Sequence, residues 1–112
     1  VGKAAPHASA PLHCTGEATY TDDVPLPPGS LNAALILASK CHAKFVSMDV
    51  ADALGTPGVE AVYAYGDLVG IGGDNALGPI THDEFVFLPP GEDVAFVGQV
   101  LGVCVGESLE SA

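Results

Sequence analysis

Apolar residues along the chain fall into short runs separated by glycine and proline, and most of these runs have the spacing of strands. Gly16-Glu17-Ala18-Thr19-Tyr20-Thr21 alternates and predicts a half-buried strand. Prolines at 25, 27 and 28 cannot donate to a sheet ladder, so Asp22 to Gly29 is expected to be a stiff, exposed loop. Leu31 to Ser39 is apolar at almost every position, the pattern of a strand covered on both faces, although its alanines also tolerate a helix. Lys44 to Met48 alternates again.

Asp49 to Gly55 has the marks of a short helix. Asp49 can accept from the free amides of the first turn, Asp52 suits the positive end of the dipole, and Gly55 and Pro57 stop the run. Val50, Ala53 and Leu54 form one narrow apolar stripe for packing on a sheet. Val59 to Tyr65 follows the Thr56-Pro57-Gly58 turn as a strand. Gly66 to Asp83, with glycines at 66, 70, 72, 73 and 78, is expected to be a long loop, a feature that compact domains keep for a site or a partner. Phe85 to Leu88, Val94 to Val97 and Gln99 to Val105 complete six or seven strands. One or two short helices cannot serve the crossovers of a parallel sheet, so the fold class is α+β with mixed or antiparallel strands.

Composition narrows the partners. The chain has 112 residues, 14 of them acidic against 3 basic, for a net charge of -11. Residues 1-112 are read as one domain with a core large enough to fold without staples. Nucleic acid and anionic membrane surfaces are excluded as partners, because both need clustered Lys and Arg and only Lys3, Lys40 and Lys44 are present. No apolar run approaches the roughly 20 residues that span a bilayer. The first residues lack a secretory signal and an initiator Met, and the last ones read as a helix cap without a helix, so the chain is expected to be a piece of something longer. Cys14, Cys41 and Cys104 are far apart, which suits unpaired thiols in a reducing, cytoplasmic setting better than a disulfide framework or a zinc site. Cys104, inside Val100 to Val105, is expected to be the most buried.

Candidate chemistry is sparse. Gly70-Ile71-Gly72-Gly73 and Gly98 to Gly102 lack the spacing of a phosphate loop and read as a flexible loop and a tight strand turn. Asp22-Asp23 and Asp83-Glu84 flank exposed loops and read as solvated charge, with cation binding as the second reading. His7, His13, His42 and His82 are scattered. No serine sits in a nucleophile elbow. The residues alone therefore end at an acidic α+β domain without a visible active site.

Five motifs add to this: Val1-Gly2-Lys3-x-x-Pro6-His7, Thr15-Gly16-Glu17-Ala18-x-Tyr20-x-Asp22-Asp23, Ser39-x-x-His42-Ala43-Lys44, Pro57-Gly58-Val59 and Val97-Gly98-Gln99-Val100-Leu101-Gly102-Val103. In these the chain resembles, from Gly2 to Leu109, the opening domain of the large subunit of the molybdenum hydroxylases, the xanthine dehydrogenase and aldehyde oxidase family. Val100 stands where many relatives have Pro. The resemblance implies an α/β-hammerhead domain and a parent enzyme of xanthine dehydrogenase type, hydroxylating hypoxanthine or xanthine with oxygen from water. It implies molybdopterin-bound molybdenum in the parent subunit, with 2Fe-2S clusters and FAD in the parent complex, and none of these in the chain itself. No catalytic, cofactor-binding or metal residue is carried over. The implied partners are the remaining molybdopterin-binding domains and the FAD and iron-sulfur subunit or domains. Ile80, Thr81 and His82 map to a stretch that approaches the family's substrate channel. The same domain of an aldehyde oxidase or of another N-heterocycle hydroxylase is the near alternative, and a stand-alone acidic binding module the distant one.

Overall fold

The computed structural model describes residues 2-78, 80-81 and 83-112. Its centre is a three-stranded antiparallel sheet made from the three most continuous apolar runs: β1 (Asn32–Leu37), β3 (Val59–Ala64) and β7 (Val100–Gly106). The last strand in sequence, β7, lies in the middle, with Leu35 opposite Val103 on one side and Tyr63 opposite Val103 on the other. Two small ribbons flank it, β2 (Ala43–Lys44) with β6 (Asp93–Val94) and β4 (Ala76–Leu77) with β5 (Glu84–Phe85).

The expected helix is present as α2 (Ala51–Leu54), and the side chain of Asp49 accepts from the amide of Ala51 at 3.0 Å. Two further short helices, α1 (Ala10–Thr15) and α3 (Tyr65–Gly70), join it. This corrects the long loop expected over residues 66-83: α3 starts that stretch, and β4 turns back on β5 to form a hairpin. Glycine content hid both, because a six-residue helix with glycine at two positions has almost no apolar period. Asp67 replaces that missing signal locally, accepting from the amide of Ala64 at the start of α3.

The strand expected over residues 16-21 is absent. Gly16 is left-handed at φ 78 and ends α1, and a 3-10 turn over Thr21–Asp23 follows, so the alternation meets no partner strand. The strands expected over 44-48, 85-88 and 94-97 shorten to two residues each.

The buried centre is small. Ala38, Leu88 and Val94 form it, with Phe45 and Leu101 packed against them. Leu88 is 1% exposed, and its amide donates to the carbonyl of Val100 at 3.0 Å. Cys104 is buried, as expected, while Cys14 and Cys41 are exposed.

Candidate functional site

Ile80 and Thr81, two of the three residues singled out from sequence, lie in the connection between β4 and β5. Asn75 anchors its base by exchanging two hydrogen bonds with the backbone of Phe87, and the amide of Val86 donates to the carbonyl of Asn75. The turn then needs glycine at position 78: φ is 124, and a Cβ there would collide with the carbonyl of Thr81. Ile80 projects from this turn, 89% exposed, and Thr81 beside it is also exposed. A shallow depression of about 270 Å³ runs between Leu77, Ile80, Thr81 and Glu84. His82 lies outside the described residues. An exposed isoleucine and a hydroxyl offer contact surface and one hydrogen-bonding group, and the carboxylates of Asp83 and Glu84 border the same depression.

Two larger clefts flank α3. One, about 530 Å³, lies between Met48, Val50, Leu54, Val62 and Tyr65. The other, about 510 Å³, lies between Tyr63, Leu68, Ile71 and Phe87. Asp67 borders both, but its carboxylate is engaged with the Ala64 amide. Both are lined mainly by apolar side chains.

Of the remaining candidates, only His7 and His13 come together among the described residues. Among the described residues no group of three or more His, Cys, Asp or Glu side chains could hold a metal ion. Asp23 accepts from the amide of Tyr20, which spends that carboxylate on closing a turn. His7 and His13 come together near Tyr20, with the His7 and His13 rings 5.7 Å apart and His13 hydrogen-bonded to the Tyr20 hydroxyl. The five-residue spacing between His7 and His13 does not by itself show this grouping, because α1 is too short to leave a helical period. Asn75 was also missed, since nothing distinguishes a clamping asparagine from a loop asparagine by type alone.

The motifs noted in the sequence prove to be instructions for turns. Gly16 caps α1, and Asp23 fixes Tyr20. His42, at φ 51, turns the chain into β2, where Lys44 donates to the carbonyl of Gly91. Gly98 donates to the carbonyl of Ala38, and the amide of Ala95 is held by the Gln99 side chain at 2.9 Å. Each of these contacts holds one connection in place.

Residues 15–112 match the family model described as aldehyde oxidase and xanthine dehydrogenase, a/b hammerhead domain. The chain is similar to xanthine dehydrogenase of Oryza sativa subsp. japonica, 42% identical over 112 residues, which is all of this chain and 8% of that protein. It is 39% identical over 109 residues to xanthine dehydrogenase of Calliphora vicina, covering 96% of this chain and again 8% of the relative. Among solved structures, a Cu,Mo-CO dehydrogenase superposes with a TM-score of 0.81 at 28% identity, over 99% of this chain and 14% of that one. Quinoline 2-oxidoreductase from Pseudomonas putida 86 superposes with a TM-score of 0.69 at 28% identity, over all of this chain and 14% of that one. The sheet, the turn-forming motifs and the match across nearly the whole length converge, and the chain belongs to the a/b hammerhead domain family of aldehyde oxidases and xanthine dehydrogenases.

Proposed function

We propose that this domain is a structural and channel-lining part of a xanthine dehydrogenase-type molybdenum hydroxylase. In this reading the whole enzyme oxidises a heteroaromatic carbon of hypoxanthine or xanthine, and the hammerhead domain covers the neighbouring domains. The supporting observation is its surface. The chain exposes 8432 Å², against roughly 5,700 Å² for a compact monomer of its mass. Its radius of gyration, 19.7 Å, likewise exceeds the ~13 Å of a globule of this length. Such a shape suits a component that completes its packing against other domains, and it argues against a stand-alone binding module.

Molybdopterin, iron-sulfur clusters and FAD find no matching site in the described residues. No buried polar or charged side chain and no chelating group is available to hold them. In this reading those groups belong to other domains of the enzyme. No helix among the described residues is long and apolar enough to cross a membrane. A cytoplasmic location fits the reading.

Ile80, Thr81 and His82 are the proposed channel-lining residues. The test is Ile80→Trp in the intact enzyme, with kcat and KM measured for hypoxanthine, xanthine and an N-heterocycle such as quinoline. A changed order of preference with unchanged assembly supports the reading. Unchanged kinetics on every substrate would confine the hairpin to packing. The likeness to quinoline 2-oxidoreductase keeps another N-heterocycle as the second substrate class.

A further inference from the structure

The central sheet has apolar residues on both faces, and the two are covered unequally. Side chains alternate along a strand, and residues paired across strands share a face. One face therefore carries Ala34, Ile36, Val62, Ala64 and Cys104, and the other carries Ala33, Leu35, Ala61, Tyr63, Val103 and Val105. Against the first face lie Met48, whose terminal methyl comes within 3.1 Å of a Cβ position at Gly102, and the stripe of α2. On the second face Leu35 is 60% and Tyr63 48% exposed, and neighbouring Leu31 and Leu37 are each 49% exposed. An antiparallel sheet with one face in water normally alternates apolar with polar residues, and continuous apolar strands belong to sheets covered on both sides. Here the strands have the two-sided composition, and the face of Leu35 and Tyr63 is the less covered.

We infer that the face bearing Leu35, Tyr63, Val103 and Val105 is a docking surface for another domain of the same enzyme chain. That domain presents an uncharged aliphatic and aromatic patch with Lys and Arg at its edge. This rests on the molybdenum-hydroxylase reading and adds the surface and its partner to it. Three observations select this occupant. The domain amounts to 8% of the relatives' length, so most of such an enzyme remains to supply the covering domain in the same polypeptide. The exposed area exceeds that of a compact monomer of this mass, as expected of a domain whose packing is completed by another. The net charge of -11 opposes a second copy of this chain and an anionic lipid surface, and favours a basic rim.

Hydroxyl-radical footprinting of the intact enzyme and of the 112-residue chain tests this. In the intact enzyme, labelling at Leu35 and Tyr63 is expected to fall to the level of Leu88, while the chain alone labels both freely. Equal labelling of Leu35 and Tyr63 in the two samples would overturn the inference. So would loss of labelling in the chain alone on raising its concentration, which would mean self-association. Molybdenum content and xanthine oxidation are measured on the same intact sample. An active, molybdenum-containing enzyme with reactive Leu35 removes only the docking surface. Protected Leu35 in a protein without molybdenum or such activity removes only the enzymatic reading.

Discussion

Asn75 grips the backbone of Phe87 twice: its Nδ2 donates to the Phe87 carbonyl at 2.9 Å, and its Oδ1 accepts from the Phe87 amide at 3.0 Å. Both bonds are partly shielded from solvent and close the base of the hairpin that carries Ile80. Asn75→Ala is expected to lower stability by about 1-3 kcal/mol, the cost of leaving two backbone groups unpartnered. Urea denaturation and amide exchange at Phe87 check this. A variant that left both unchanged would show that the clamp contributes nothing.

Two glycines should respond oppositely to alanine. A Cβ at Gly102 would lie 2.6 Å from the Tyr63 carbonyl and 3.1 Å from the Met48 methyl, so β3 must shift. Gly102→Ala is expected to cost roughly 1-3 kcal/mol as overpacking. Gly66, in α3, has nothing within 4 Å of its Cβ position. Gly66→Ala should therefore stabilise by about 0.5-1 kcal/mol. Urea midpoints moving in the same direction would refute the contrast.

The three cysteines differ only in surroundings. Cys104→Ser places a hydroxyl among apolar neighbours at a site 9% exposed, and should cost about 1-3 kcal/mol. Cys14→Ser and Cys41→Ser, at exposed positions, should stay within about 0.5 kcal/mol of the parent. Thermal unfolding of the three variants side by side decides between them.

Lys44 Nζ and Asp93 Oδ1 form an ion pair at 3.1 Å, with side chains 60% and 76% exposed. Solvent weakens such a pair to less than about 1 kcal/mol. Asp93→Asn should therefore shift the urea midpoint less than Cys104→Ser does, and added salt should leave the difference between parent and variant small. A large, salt-sensitive loss would mean that the β2/β6 ribbon depends on this charge.

The legible parts of the fold were those where pattern and packing agree. β1, β3 and β7 are long apolar runs, and α2 has its Asp49 and Gly55 signals. α1 and α3 were not legible because a six-residue helix with Pro11 or Gly66 inside it leaves too few positions to show a period. Glu17, Thr19 and Thr21 suggested a strand by alternation, but a strand also needs a neighbour, and sequence does not show which edges are free. Ile80 was singled out through family resemblance alone, without the hairpin that carries it. The physical pattern showed only a glycine-rich stretch, and the His7-His13-Tyr20 grouping left no trace in it.

The place of β7 in the sheet also constrains synthesis. Both of its neighbours, β1 and β3, leave the ribosome first and have no mutual pairing to fall back on. At roughly 5-20 residues per second, β1 waits on the order of ten seconds for the strand that joins it to β3. Throughout that interval its leucines and unpaired amides are open to the wrong neighbours. Pauses or rare codons before Val100 should therefore reduce the yield of folded protein more than the same pauses placed after Gly106.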